Sequence, residues 1–446
     1  MLPQLHPRLA AWFIESFGEP TDAQTQCVPH ILAGRSVLLS SPTGSGKTLA
    51  GFLGVMDQLI RLHEAGELMD GVRALYVSPL RALTYDMQKN LSEPLRAMGL
   101  EGVIRVGMRT GDTSAADRAK LKRKPPHILL TTPESLAILL PQEGHREYLR
   151  HCRFVIVDEL HALAENKRGA HLVLSLERLE RVVAPGNLVR VGLSATAAPL
   201  PVLGRLLVGE GRKCEIVKAK VVRRRRVEVL SPLRKNPYPS SGWTATRVLT
   251  DIARLVAQKQ SMIIFCNTRS TTESLAHRLK VALPDIAGQI EAHHGSLDRD
   301  VRLEVEDRLK RGELRAVVCS TSLELGIDIG AVDCVVMIST PKGISRALQR
   351  IGRSGHNIRE ESHGVLVATN INDLMECVVC AEMTRREQLD EVKVLHAPLD
   401  VLAQHLVGMA MEGGYTRDLA WETTRRAYSF ATMEEAEFDR VLHYLK

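Results

Sequence analysis

The residues with the clearest chemical meaning run from Ser41 through Pro42, Thr43, Gly44, Ser45 and Gly46 to Lys47 and Thr48. An apolar strand candidate, Val37–Ser40, precedes them, and a helical pattern opens at Leu49. Strand, glycine-rich loop, Lys-Thr and helix, in that order, make the context of a Walker A phosphate loop. Gly44 and Gly46 let the backbone curl so that its N–H groups, those of Thr43 and Ser45 included, face phosphate. The helix N-terminus adds a favourable dipole. Lys47 is expected to reach the β- and γ-phosphates of ATP, and Thr48 to hold Mg²⁺. Ser41 stands where the strict pattern has its first glycine. The competing reading is a chance glycine-rich turn; the flanks and the Lys-Thr pair argue against it.

A second constellation is Phe154-Val155-Ile156-Val157 followed by Asp158, Glu159, Leu160 and His161. The apolar residues read as a buried strand, and the acids emerge at its C-terminal end, where α/β sheets bind ligands. Asp158 is expected to hold Mg²⁺ through water, and Glu159 to orient and polarise the attacking water. His161 would link this site to Ser194, Ala195 and Thr196 at the end of another strand. An acidic pair after a strand is only moderately specific alone; following a phosphate loop in order, it is strong.

The second half of the chain carries no phosphate loop. It carries Gln349, Arg350, Gly352, Arg353, Gly355 and His356 in a tight run. A cation that reaches the γ-phosphate from a second domain makes hydrolysis depend on closure, as arginine fingers do. Taken alone, the run reads equally well as a basic helix face packed on acids.

These groups need a scaffold, and the hydrophobic pattern supplies one. Strand candidates are Val37–Ser40, Ala74–Ser78, Val103–Val106, Ile128–Thr131, Phe154–Asp158 and Val189–Ser194, then Met262–Cys266, Ala316–Ser320, Cys334–Ile338 and Val365–Thr369. Nearly continuous apolar strands alternating with helical patterns indicate buried parallel sheet, and the pattern occurs twice. The fold expected is α/β: two tandem RecA-like parallel-sheet domains, 1–208 and 209–385, then a helical segment, 386–446, that begins a winged-helix domain and looks incomplete. The helical segment rests on patterns at Asp373–Arg386, Pro398–Glu412 and Met433–Leu445. The break falls near Val208–Arg212; the Arg- and Pro-rich stretch after it, Arg223–Arg226 to Pro239 and Trp243, reads as a solvated connector in preference to a strand touching the phosphate backbone.

At 446 residues the chain exceeds one ordinary domain, and 44% hydrophobic residues suffice for sizeable cores. It shows neither a secretory signal nor a membrane-length apolar run, so a cytoplasmic enzyme is expected. A formal charge of +7 weakly favours a polyanionic partner. Aromatics are only 4%, which favours tracking of a nucleic-acid backbone over stacking on its bases. Most of the eight cysteines sit in apolar runs, and Cys377 and Cys380 read as a buried helix face before a metal pair.

The order of motifs resembles superfamily 2 helicases, and most closely the Lhr (large helicase-related) group of DExH-box enzymes, over about residues 5 to 412. Gln24 sits in a run similar to the adenine-reading Q motif. Tyr76–Leu83 resembles motif Ia; Arg109–Thr113 and Thr131–Ser135 resemble the next strand-contacting motifs. Asp158–His161 is a DExH box and Ser194–Thr196 resembles motif III. Ile264–Arg269 resembles motif IV, His293–Leu297 motif IVa, Thr321–Asp328 motif V and Gln349–His356 motif VI. Glu165–His171, Ser322–Gly330 and Gln349–His356 are similar to the Lhr group in particular, and Ala397–His405 resembles the entry to its winged-helix domain; among the branches, the DNA-ligase-associated one is favoured. Many superfamily 2 proteins end motif VI with a second Arg where His356 stands. Arg353 is therefore the expected finger, with Arg350 as a helper or a partner of the DExH acids.

The resemblance implies an ATP- and Mg²⁺-dependent motor with ATP in a cleft between two domains. Gln24, Lys47, Thr48, Asp158 and Glu159 come from the first; Gly326, Asp328, Gln349 and Arg353 come from the second. His161, Ser194 and Thr196 would couple the domains. Strand contacts are expected at Pro79, Arg81, Arg109, Thr110, Thr132, Ser135, Asn267, Arg269, His294, Gly295, Thr321 and Ser322. These groups position phosphates and carry no base code, although the Thr and Ser residues also read as helix caps. The expected function is a monomeric 3′-to-5′ helicase on single-stranded DNA or a DNA/RNA hybrid, serving repair, with DNA-repair proteins such as a DNA ligase as partners. An RNA-directed helicase on the same core and an ATP-binding clamp without motor activity stay open.

Overall fold

Short runs that are apolar on both faces can only be buried as central strands of a covered sheet, and most strands here are of that kind. The computed structural model describes residues 1–42, 44–183, 186–219, 224–231, 242–324, 330, 332–355 and 361–446, with side chains at 81, 82 and 242–245 left aside. Thr43, Gly326, Asp328 and His356, and the side chains of Arg81 and Trp243, therefore lie outside the described residues.

The first sheet comprises β1 (Val37–Ser40), β2 (Ala74–Val77), β3 (Val106–Arg109), β4 (Ile128–Thr131), β5 (Phe154–Val157), β6 (Val189–Ser194) and β7 (Glu215–Lys218). Its spatial order is β3-β4-β2-β5-β6-β1-β7, and all neighbours are parallel. Alternate residues feed two cores. Leu75, Val77, Val155 and Val157 join one; Ala74, Tyr76, Phe154 and Ile156 join the other. The second sheet comprises β8 (Arg225–Leu230), β9 (Met262–Phe265), β10 (Ile290–His293), β11 (Ala316–Cys319), β12 (Cys334–Ile338) and β13 (Ser362–Val367). Its order is β10-β11-β9-β12-β13-β8, again all parallel.

The chain divides into two compact units, one around each sheet, and Glu391–Lys446 belongs with the first. The helices Leu399–Glu412, Arg417–Arg426 and Glu435–Tyr444 place Leu402, Met409, Ala420 and Phe438 in the same apolar core as Leu176 and Leu179 of helix Lys167–Val182. Of these three, Arg417–Arg426 was not expected; its mixed charge hides a short amphipathic face.

Three other segments differ from the pattern reading. The strand expected at Val103–Val106 starts at Val106, because the amides of Val103 and Ile104 both turn back to the Leu100 carbonyl. The Arg-rich connector is in part a strand: β8 pairs with β13 from Arg225↔Ser362 to Leu230↔Val367. As a sheet edge it buries Val227 and leaves Arg226 exposed, so charge masked the alternation. The first sheet also runs past the Val208–Arg212 break to take in β7. Cys377 and Cys380 lie buried on helix Ile371–Arg385 with free thiols, and burial pushes the Cys377 thiol up to about 12.

Candidate functional site

The C-terminal edge of the first sheet orders the chemistry. Reading along the adjacent strands β5, β6 and β1, their ends deliver Asp158 and Glu159, then Ser194, then the phosphate loop. Reading the other way, β2, β4 and β3 deliver Ser78 to Arg81, Thr132 to Ser135, and Arg109 with Thr110. The edge thus has a phosphate-loop half and a half carrying the expected strand contacts, which meet where β2 pairs with β5.

In the first half, Gly44 and Gly46 take φ of 78° and 75°, a region that favours glycine. A Cβ on Gly46 would sit 2.6 Å from Nε2 of Gln24, so any other residue would also push that side-chain amide aside. Helix Lys47–Glu64 starts directly after this turn and aims its N-terminus into the loop. Lys47 Nζ lies 3.3 Å from Glu159 Oε1, both buried. The Asp158 carboxylate accepts the Tyr76 hydroxyl at 2.6 Å and the Glu159 amide at 2.8 Å. Burial, reinforced by the Glu159 charge, pushes the Asp158 carboxyl up to about 6; Lys47 and Tyr76 oppose that rise. His161 Nε2 is 3.6 Å from Glu159 Oε2, and its Nδ1 is 3.1 Å from Ser194 Oγ and accepts the Ala195 amide at 3.3 Å. Burial holds the His161 imidazole down to about 4, so it stays neutral and can accept that amide. Thr196 is half-buried just beyond.

Gln24 completes a capping box. Its Oε1 accepts the Thr21 amide at 2.9 Å, and Thr21 Oγ1 in turn donates to the Ser45 carbonyl at 2.9 Å. The Q-motif amide is thus held against the phosphate loop by a Thr-x-x-Gln signal that is legible in the sequence. The hydroxyls of Ser41 and Ser45 are buried without a partner among the described residues. A loop of this shape, with Lys47 and two acids, fits a nucleoside triphosphate. Among the described residues no group of three or more His, Cys, Asp and Glu forms a metal cage; Mg²⁺ in such sites needs only one or two protein groups beside the phosphates, which Thr48 and Asp158 can supply.

In the half carrying the strand contacts, Thr132 caps helix Pro133–Leu139 through the Ser135 amide, the capping role foreseen beside strand contact. Arg109 donates to the Thr110 carbonyl at 2.8 Å. The Pro79 carbonyl accepts Arg168 Nη2 at 2.8 Å.

In the second unit, the ends of three adjacent strands, β10, β11 and β9, bring together His294 with Gly295, Thr321 with Ser322, and Asn267 with Arg269. His294 Nε2 pairs with Glu273 at 2.6 Å, and Arg269 donates to Ser296 Oγ at 2.6 Å. Ser322 Oγ donates to the His293 carbonyl at 2.9 Å, and Asn267 to the Thr340 carbonyl at 3.1 Å. Gln349 and Arg350 are buried on helix Ile344–Ile351. Arg350 Nη2 lies 2.8 Å from Glu324 Oε2, with its guanidinium 4.7 Å from the centre of the Phe265 ring. Within its own unit the Arg350 charge is taken up by Glu324. Arg353 is half-buried and donates to the Glu324 carbonyl at 3.2 Å.

Three family models match the chain in series: DEAD/DEAH box helicase over 21–202, helicase conserved C-terminal domain over 245–358, and the winged-helix domain of large helicase-related protein over 382–446. The chain belongs to the Lhr family of helicases. Its Lhr relatives include ATP-dependent helicase Lhr-Core protein 2 of Thermococcus barophilus, 47% identical over 97% of this chain and 52% of that protein. Lhr-Core of Methanothermobacter thermautotrophicus is 46% identical over 99% of this chain and 52% of that protein. A solved structure of Mycobacterium smegmatis helicase Lhr bound to ssDNA and AMP-PNP matches with a TM-score of 0.89 at 38% identity, over 99% of this chain and 57% of that one. The chain spans about half the length of the curated Lhr relatives it matches. Within this Lhr frame the winged-helix match covers the helices that share the first unit's core.

One buried side chain at the site escaped the sequence reading. Tyr76 was taken as part of motif Ia, yet its hydroxyl meets Asp158. Its signal was a phenol inside an otherwise apolar strand, since a buried hydroxyl needs a partner.

Proposed function

We propose that this Lhr member is an ATP-dependent helicase or translocase moving 3′-to-5′ on single-stranded DNA, in DNA repair and in the cytoplasm. The observation that carries the reading is the buried cluster of Lys47, Asp158 and Glu159 at adjoining strand ends, with Lys47 Nζ 3.3 Å from Glu159. Lys47 holds phosphate, Thr48 and Asp158 hold Mg²⁺, Glu159 orients the attacking water and Arg353 acts as the finger. Bound ATP supplies the phosphoryl group whose transfer drives movement. Single-stranded DNA as the track is supported by the Mycobacterium smegmatis structure, which holds ssDNA and AMP-PNP. No helix among the described residues is long and apolar enough to cross a membrane. A monomer acting beside a DNA ligase completes the reading.

Steady-state ATPase with Mg²⁺ tests it, alone and with single-stranded DNA, single-stranded RNA or duplex DNA, beside Glu159→Gln. Strong stimulation by single-stranded DNA, lost in the variant, is expected. Stimulation by RNA alone would move the substrate, and no stimulation by any strand would favour a clamp. Unwinding of duplexes with a 3′ or a 5′ tail reads the polarity.

A further inference from the structure

The two halves of the first sheet's edge meet between β2 and β5, and one side chain crosses that seam. Tyr76 is wholly buried, and its ring lies 5.4 Å from that of Phe52, on the helix that follows the phosphate loop. Apolar packing alone would be met by Phe at this position. The hydroxyl is accounted for by Asp158, whose Oδ2 it reaches at 2.6 Å. Asp158 is tied to the same strand a second time, because its amide donates to the Val77 carbonyl at 2.9 Å. Past Val77 the chain turns at once: the Ser78 amide bonds the Thr131 carbonyl at 3.1 Å, and Ser78 Oγ accepts the Leu80 amide at 3.3 Å. One short strand end therefore holds both the acid and the loop that begins at Ser78.

We propose that Tyr76 is a positioning residue for Asp158, orienting its carboxylate toward Mg²⁺ and joining it to the Ser78–Arg81 loop that contacts the nucleic-acid strand. The proposal rests on the ATP-driven reading of the site. A donor behind a metal-holding carboxylate fixes which oxygen and which lone pair face the ion, and a phenol on a carboxylate makes a short, charge-assisted hydrogen bond. With Oδ2 held by Tyr76 and Oδ1 by the Glu159 amide, the carboxylate has one orientation, and each oxygen keeps a lone pair for a metal-bound water.

The test is Mg²⁺-dependent binding of AMP-PNP to the full chain, followed by calorimetry, for the parent, Tyr76→Phe and Phe52→Leu. Tyr76→Phe removes only the hydroxyl; Phe52→Leu disturbs the same packing and leaves the hydroxyl in place. Half-saturating Mg²⁺ should rise roughly 10-fold in Tyr76→Phe, the usual scale for a lost partner of a metal ligand, and stay at the parent value in Phe52→Leu. The factor by which single-stranded DNA tightens AMP-PNP binding should also shrink in Tyr76→Phe alone. Parent-like Mg²⁺ dependence in Tyr76→Phe overturns the proposal, as does an equal shift in Phe52→Leu, which would make packing the cause. A parent chain with no Mg²⁺-dependent AMP-PNP binding would instead strike down the ATP reading, and the role of Tyr76 with it.

Discussion

Arg178 and Glu412 meet inside the first unit: Nε donates to Oε1 at 2.9 Å, and both side chains are almost wholly buried. His405 Nδ1 stands 2.9 Å from Nη1 of the same guanidinium. Gly408 makes room, since a Cβ there would come within 2.7 Å of Nη2. The pair fastens helix Lys167–Val182, just behind the DExH box, to helix Leu399–Glu412 of the C-terminal segment. Removing one partner strands the other charge in a dry site, which costs about 3–5 kcal/mol. Glu412→Gln and Arg178→Met should each lower unfolding stability by that order in urea titrations. The double change Arg178→Met with Glu412→Leu should recover much of the loss. Parent-like stability of both single variants would show that the pair is solvated.

Arg350 and Arg353 sit one turn apart and should fail differently. Arg350 is the close partner of buried Glu324, so Arg350→Ala leaves that carboxylate only the longer 3.8 Å pair with exposed Arg346 and should cost up to about 3–5 kcal/mol of stability. Arg353 gives the Glu324 carbonyl a hydrogen bond at 3.2 Å and is half-buried. Arg353→Ala should fold and bind AMP-PNP as the parent does, while strand-stimulated turnover falls by about 10³ or more, the scale of a lost arginine finger. Denaturation, nucleotide titration and single-turnover hydrolysis separate the two. Weak nucleotide binding with normal turnover in Arg353→Ala would remove its finger role.

The difference between what the chain disclosed as a sequence and what it did not follows sequence distance. The phosphate loop and the DExH acids were legible because strand, turn and helix signals lie within a few residues of the reacting groups. The Tyr76–Asp158 contact spans 82 residues and the Arg178–Glu412 pair spans 234, and no local pattern records either. Strand β8 was hidden by its own arginines, which a sheet edge tolerates and a central strand would not. Gln24 could have been assigned its cap from Thr21 three residues earlier. The pairing of Arg350 with Glu324 could not, because the two residues lie 26 apart with a strand and a helix start between them.

His161 gives the site a pH signature. Its imidazole is buried, held down to about 4 in the folded protein, and returns to its ordinary value near 6.5 on unfolding. Between those values the unfolded chain binds the extra proton. The contribution is therefore fully present above about pH 6.5 and is lost as pH falls through about 4, by an amount of order 3 kcal/mol. Urea midpoints taken at steps from pH 7.5 to 5 should fall on the acid side, and His161→Asn should flatten that fall. An unchanged slope in the variant would mean that other groups carry the acid sensitivity.

Arg269 offers the most direct reading of the strand path in the second unit. It opens helix Arg269–Ala282, is exposed, and donates to Ser296 beside Gly295 at the end of β10. If its charge meets a phosphate, Arg269→Gln should weaken binding of all single-stranded sequences alike. The slope of log affinity against log salt should also drop by about 0.7, the value for one phosphate contact on a single strand. If Arg269 only braces the loop through its hydroxyl partner, Ser296→Ala should weaken binding equally and neither variant should change the slope. Fluorescence anisotropy with unrelated single-stranded oligonucleotides at several salt concentrations tells the two apart, because a lost brace changes the intercept and a lost phosphate contact changes the slope.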